Sequence, residues 1–510
     1  MIVWILDVRC DDAFIAYRYA HRLAQRGELA FNDGERVEGF SSPLYAIILS
    51  IGELLGVAPE KLSPIIGVSA STASVALVYH IGTFDRNEAR YTNLLPCALL
   101  AIMFTYSSHA ADGLETSLFS CATLISFAHL VAKRRSLERR DAVVSGVLFS
   151  LSWALRPEGI FAFIASLIIA FQRRVRVTAY ATIVGSGLIL RYAFYLDIFP
   201  NTARAKMPAY ATELLTHGLH YLSFFADDFG LFAFVFCALV AIFGLSIALA
   251  RRSFESRFAW VCLAFVYCFL HAMFVVCVGG DFQDGHRFLH VIIAPLFCGF
   301  AASGSLVCEY LYDRGRMAAR LGMLAILGGS IAYGAKQFSL VRSAAINEMD
   351  TRASRRVMTL EALRTQVDRD TALAGYLAER LAPTDWIATQ ASGVVPYLTD
   401  APTIDAFGLS DRFVALHGVR VPGLIGHRRA APLWYLASRR PTVLAIDLMR
   451  PSYRPISIHD APRAPFTEYQ WIVASLVVHG PSGPYEYYVP LLVREDRVGA
   501  FEAVQPEIAR

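Results

Sequence analysis

Two adjacent carboxylates, Asp11 and Asp12, open the stretch CDDAFIAYRYAHRLAQRGELAFNDGERVEGFSSPLY at residues 10–45. A carboxylate suits the work of a general base. Two side by side repel, which pushes one of them toward a pKa near working pH. In helical phase Asp11 shares a face with Phe14, Ile15 and Arg18, and Asp12 points about 100° away. That phase makes Asp11 the expected base and Asp12 its support, with Arg18 placed to pair with a carboxylate or orient substrate. The same two acids also fit an ordinary helix start, an N-cap followed by a first-turn acid.

Further charges sit where apolar sequence is interrupted. GGDFQDGHRFLH at 279–290 offers Asp281, Asp284, His286, Arg287 and His290 at the mouth of an apolar segment. A guanidinium matches phosphate oxygens in a fork, so Arg287 is the natural phosphate partner. The other reading is an interfacial arginine snorkelling to headgroups. Arg156 and Glu158 of RPEG break two apolar segments, and such charges must pair or face a cavity. Glu115 in DGLETS is similar. Asn201, Arg204 and Lys206 in FPNTARAK can bind sugar hydroxyls and phosphate, or form a plain surface loop. Glu38 completes the candidate substrate contacts. Asp281 with Asp11 or Asp12 can help hold a divalent cation, but hard cations need several oxygen ligands. No ligand spacing establishes a metal, and no cofactor is identified. His80, His109 and His129 are isolated in or beside apolar helices and are expected to be buried, hydrogen-bonded side chains.

These residues must be positioned by membrane helices. The chain has 510 residues, 55% hydrophobic and only 18% charged, whereas a soluble chain carries about a quarter charged. The apolar residues gather into blocks at about 64–83, 93–107, 115–132, 142–156, 158–172, 177–197, 229–250, 258–278, 288–310 and 318–336. Several are short, as broken or tilted spans lining a cavity would be. Residues 43–57, interrupted by Glu53, are expected to be re-entrant or interfacial. Alternatively, one short segment between 93 and 132 does not span. Met1–Leu6 is too short to span and lacks the features of a signal peptide. Eight of the nine cysteines lie in or beside apolar segments and read as small buried hydrophobes. The net charge of +4 is modest, and no nucleic-acid partner is expected.

Orientation follows from Lys and Arg. Basic clusters at 133–140, 173–176, 251–257 and 314–320 alternate with the spans. Placing them in the cytoplasm puts DGLETS, RPEG, DIFPNTARAKM and GGDFQDGHR together on the opposite side. Residues 340–382 are polar with a helical period. The β-like runs WIATQA, TVLAID, WIVASLVV and YYVPLLV follow, separated by Pro, Gly and Asp, and read as a small α/β domain on the motif face. The expected division is therefore 1–336 and 337–510.

The residues at 10–45 also resemble the first extracytoplasmic loop of GT-C glycosyltransferases, which use polyprenyl-phosphate sugars. The chain is most similar to the terminal β-(1→2)-arabinofuranosyltransferase family of actinobacterial cell-wall synthesis. DGLETSLF, RPEG, DIFPNTARAKM, GGDFQDGHRFL and IDAFGLSD match in the family's order. Family members carry a full membrane helix before the paired acids, so the chain is expected to begin further upstream. The resemblance implies a polytopic α-helical membrane protein of about ten to twelve helices with a C-terminal extracytoplasmic α/β domain. It implies an inverting glycosyltransferase of a bacterial plasma membrane, with a lipid-linked donor such as decaprenyl-phosphoryl-arabinofuranose and a glycan or glycoprotein acceptor. In related enzymes an acid at this loop position is the base, without separating Asp11 from Asp12. Asp405 and Asp411 cap turns or line the acceptor path. A flippase of lipid-linked saccharide and a non-catalytic relative are the alternatives. A flippase would carry polar groups along several spans, whereas here they concentrate in loops on one face.

Overall fold

The computed structural model describes residues 9–81, 94–136, 138–169, 172–207, 211–230, 256–281, 285–345, 360–421, 428–446, 465–480 and 483–502, with a few short stretches between them. The apolar block at 229–250 and Asp284 lie almost wholly outside the described residues.

The helical part opens with α1 (Asp11–Arg26), a strongly amphipathic helix that ends at Gly27, whose φ of 71° is the left-handed cap glycine accepts readily. Next comes α2 (Pro43–Leu54), 12 residues long and so about 18 Å. A bilayer core is about 30 Å thick, so α2 is too short to cross it. Glu53 near its end lies 2.5 Å from His21 of α1. Then follow α3 (Pro59–Ile81), α4 (Leu94–Ala101), α5 (Phe104–Ser108), α6 (Thr116–Ala132), α7 (Arg139–Leu155), α8 (Gly159–Ser166) and α9 (Arg173–Tyr195). After α10 (Asn201–Ala205) and α11 (Ala211–Phe229), the long α12 (Ser256–Val278), α13 (Arg287–Arg314) and α14 (Arg316–Ala345) complete this part. The block at 93–107 is broken between α4 and α5, and the block at 158–172 gives only the short α8, as tilted or interrupted spans require. Among the described residues, four helices (α3, α9, α12 and α13) are long and apolar enough to cross a membrane.

Helix direction places the motifs. The helix α6 starts beside Glu115 and ends at Lys133, α7 runs from Arg139 to Arg156, and α13 runs from Arg287 to Arg314. Each therefore has one basic end and one motif end, and the motif ends meet. The core beneath them is aromatic and aliphatic, with Phe119, Phe127, Phe149, Trp260 and Tyr267 buried together.

The C-terminal part begins with α15 (Leu360–Ala378), whose Leu363, Val367, Leu373 and Leu377 form one buried stripe. Two short strands, β3 (Val419–Arg420) and β4 (Arg429–Ala430), pair with each other, and a five-stranded sheet has the order β2-β1-β5-β7-β6. Strands β1 (Ile387–Thr389), β2 (Thr403–Asp405) and β5 (Val443–Ala445) are parallel, while β6 (Tyr469–Gly480) and β7 (Gly483–Arg494) form an antiparallel hairpin. The short α16 (Val394–Thr399) and α17 (Arg412–His417) flank β2. Ile387 and Leu491 belong to one apolar cluster, Ala388 and Leu492 to another. Alternation along β1 and β7 thus serves two cores, as a sheet covered on both faces demands.

The two parts meet over the polar stretch. Arg18, 1% exposed, donates to the carbonyls of Phe31 at 2.7 Å and Ala401 at 2.8 Å, and to that of Pro396. Asn32 exchanges two hydrogen bonds with the backbone of Thr403, at 2.8 and 2.9 Å. Arg22 and Arg26 both pair with Asp33 and Asp400. Much of the first loop is therefore a socket for the C-terminal domain.

Candidate active site

Arg287 is the centre of the site. It is the first residue of α13, 5% exposed, and follows His286, whose φ of 56° turns the chain sharply into the helix. Its Nε and Nη2 donate to the two oxygens of Asp281 at 2.7 and 3.2 Å. Its Nη1 donates to Asp12 Oδ2 at 3.2 Å. Gln283 also donates to Asp12 Oδ2, at 3.3 Å. The side chain of Asp281 is 2% exposed and that of Asp12 18%. Asp281 is thus a buried counter-ion, and Asp12 is the acid that solvent or substrate can reach. The cation between Asp12 and Asp281 is the guanidinium itself, and among the described residues no group of His, Cys, Asp or Glu is arranged to hold a metal ion.

A second guanidinium faces the first. Arg156 pairs with Glu115 at 2.9 Å and with Glu158 at 3.0 Å. The Phe288 ring centroid lies 5.4 Å from the Arg156 guanidinium carbon and 5.3 Å from that of Arg287, so that one aromatic ring attracts both cations. A cavity opens between these groups. Its polar lining is Thr116, Arg156, Glu158, His271 and Arg287, and Phe119, Phe274, Phe288 and Val291 form its apolar walls. Lys206, just past α10, is half-buried and has no ion-pair partner among the described residues. Burial holds its amine below the ordinary lysine range, with Asp12 pulling the other way and Arg287 adding to the depression.

Asp11 goes elsewhere. Its Oδ1 accepts from the backbone N–H of Val394 at 2.7 Å and its Oδ2 from Gly393 at 3.3 Å, so that it caps α16 of the C-terminal domain. A Cβ on Gly393 would strike the Asp11 carbonyl oxygen, which is why a glycine stands there. Burial pushes the Asp11 carboxyl up to about 7, against the two N–H donors. Asp370 of α15 is pushed up as well, by burial and then by the Asp11 charge. The expected sharing of a face between Asp11 and Arg18 does not produce a shared site, because Arg18 is spent on carbonyls.

Of the expected substrate contacts, Glu115, Arg156, Glu158, Lys206, Asp281 and Arg287 gather around Asp12. Four others do not. Arg18 is a socket residue. Glu38, 3% exposed, pairs with Arg191 at 2.9 Å. Asn201 donates to the carbonyls of Gly408 and Leu409, both at 2.9 Å, and holds the IDAFGLSD loop. His286 faces Asp228 at 2.9 Å. Asp405 and Asp411 hold turns of their own domain, Asp405 accepting from Ser410 N at 2.8 Å and Asp411 from Val414 N at 2.9 Å. His109 is buried and bonded to Asp112 at 2.8 Å, as an isolated core histidine should be. Sequence reasoning missed His271, a lone polar residue inside an apolar run, and Thr116, which stands in DGLETS beside the charged Glu115.

Comparison with solved structures bears on this geometry. ArnT from Cupriavidus metallidurans in the apo state superposes with a TM-score of 0.53 at 13% identity, over 96% of both chains. The chain shares the ArnT fold. ArnT bound to undecaprenyl phosphate matches with a TM-score of 0.51 at 12% identity, again over 96% of both chains. Among the described residues, this fold combines four helices long and apolar enough to cross a membrane with a C-terminal α/β domain. In sequence the chain is similar to the terminal β-(1→2)-arabinofuranosyltransferase of Mycobacterium tuberculosis, 27% identical over 58% of this chain and 52% of that protein. The Corynebacterium glutamicum enzyme of the same name is 25% identical over 61% of this chain and 50% of that protein. The chain thus matches about half the length of these curated relatives. A family model described as a domain of unknown function, DUF8728, matches residues 358–489. The resemblance to GT-C enzymes therefore holds in sequence and in fold.

Proposed function

We propose that the protein is an inverting glycosyltransferase that moves a sugar, arabinofuranose by analogy with its curated relatives, from a polyprenyl-phosphate donor to a glycan or glycoprotein. The observation that carries this is Asp12 held on Arg287 beside a cavity that two further cations approach. The acceptor hydroxyl oxygen attacks the anomeric carbon, the bond from that carbon to the phosphate oxygen breaks, and Asp12 takes the hydroxyl proton. Polyprenyl phosphate leaves with the bonding pair. A single displacement inverts the anomeric centre.

The division of labour follows from the contacts. Asp281 holds the Nε edge of Arg287, which leaves the Nη1 edge to Asp12 or to a phosphate oxygen. Donor phosphate arriving there takes Arg287 from Asp12, and the freed carboxylate becomes the stronger base. Lys206 and Arg156 stabilise the charge that grows on the leaving phosphate. Glu115 and Glu158 fix Arg156 in place. Undecaprenyl phosphate bound to ArnT supports a lipid phosphate ligand for this fold. The segregation of basic and motif helix ends supports a site and C-terminal domain outside the cytoplasm of a bacterial plasma membrane. The helices through α14, which ends at Ala345, form the catalytic membrane domain, and the part that begins with α15 at Leu360 forms the extracytoplasmic one. The test is to incubate purified protein with a panel of polyprenyl-phosphate sugars and acceptor glycans, then detect released lipid phosphate by mass spectrometry. Release from none of them would refute the reading.

A further inference from the structure

His271 lies on α12 at the wall of the cavity and is 2% exposed. Its Nε2 is 2.7 Å from the backbone oxygen of Phe288. A carbonyl can only accept, so Nε2 carries the hydrogen, and Nδ1 of the neutral ring is an acceptor. Among the described residues the buried Nδ1 has no partner. Thr116, the first residue of α6 and also 2% exposed, lines the same cavity, and its buried hydroxyl likewise has no partner among the described residues. Two orphaned polar atoms on separate helices at one cavity are costly to keep unless something fills them. Phe119 and Phe274 line the same cavity, as do Arg156 and Arg287. A nitrogen acceptor, a hydroxyl and apolar walls next to cations match the groups that a sugar phosphate presents, its hydroxyls, its C–H faces and its anionic phosphate.

We propose that His271 and Thr116 form the pocket for the donor sugar, and that His271 determines specificity by accepting a hydrogen bond at Nδ1 from a sugar hydroxyl. The inference rests on the donor reading above and adds the residues that distinguish a glycosylated lipid from a bare one. The chosen variants separate the two faces of the imidazole. His271→Gln places an amide N–H where Nε2 stood and keeps the bond to Phe288, but supplies nothing at Nδ1. His271→Asn does the reverse. Thr116→Val keeps the shape and removes the hydroxyl.

Affinities of full-length protein in nanodiscs for decaprenyl phosphate, and for the same lipid bearing each sugar of the panel, give a ratio of glycosylated to bare binding. The wild type should favour one glycosylated lipid. His271→Gln should cut that preference about tenfold, as loss of one hydrogen bond that leaves a hydroxyl unpaired does, with bare-lipid affinity unchanged. His271→Asn should retain part of the preference, and Thr116→Val should lower it. An unaltered ratio in His271→Gln, an equal loss of both affinities, or a wild type that prefers no glycosylated lipid would each overturn the inference. In that last case intact binding of bare lipid leaves the phosphate reading standing. Failure of the wild type to bind either lipid would overturn both.

Discussion

Asp12 Oδ2 lies 3.2 Å from Arg287 Nη1, across 275 positions of sequence. Asp11, one residue earlier, accepts instead from Val394 of the C-terminal domain at 2.7 Å. Two adjacent acids therefore serve two different structures, one at the cavity and one at the seam between domains.

The first expectation concerns Asp11 itself. Asp11→Asn keeps size and the oxygen that caps α16, so turnover should fall less than tenfold. A loss of a hundredfold or more in steady-state rate would return the base role to Asp11, as helical phase alone suggests.

Arg287 should act on the donor. Arg287→Lys retains charge and loses the fork that grips Asp281 with one edge and offers Nη1 with the other. Initial-rate kinetics should show a donor KM at least tenfold higher with a smaller change in acceptor KM. An unchanged donor KM in Arg287→Ala would reduce the arginine to a helix anchor.

The seam should respond to pH. Burial raises the Asp11 carboxyl from 3.8 to about 7. The folded protein then holds a proton that the unfolded chain releases, so stability is full near pH 4 and declines as pH rises toward about 7. Asp370 is shifted in the same direction and adds to the slope. Thermal midpoints measured between pH 4 and 8 should fall across that window, and Asp11→Asn should flatten the fall. An equal slope in the variant would show that the carboxyl does not titrate there.

Gly393 should tolerate no side chain. A Cβ would meet the Asp11 carbonyl and carboxylate oxygens. Gly393→Ala should lower the thermal midpoint and expose the seam to limited proteolysis, with an expected cost of about 1–3 kcal/mol for the forced shift. An unchanged midpoint would mean that α16 docks elsewhere.

Much of this was readable in the residues, for stated reasons. Arg156 with Glu158 and Arg287 with Asp281 are near in sequence and stand at the ends of apolar runs, where charge must be paired. The breaks at 93–107 and after 158 showed as short runs, and α4, α5 and α8 are short. What failed was assigning a purpose to each polar group. Arg18 and Asn201 carry the same donors whether they meet a phosphate, a sugar or a carbonyl, and here both meet carbonyls of residues some 200 or more positions away. The phase argument for Asp11 and Arg18 described α1 correctly and was overtaken by the domain packed on it. His271 was hidden because a single polar residue in an apolar helix has no pattern, and Thr116 because Glu115 beside it in DGLETS carries the charge.

The measurement that tests the account most directly is single-turnover release of lipid phosphate from the preferred polyprenyl-phosphate sugar by Asp12→Asn, with donor affinity measured in parallel. The account predicts a rate about 10²–10⁴ times lower than wild type, with donor binding kept or tightened because Arg287 no longer has to leave a carboxylate. A variant that turns over at more than a tenth of the wild-type rate would contradict it.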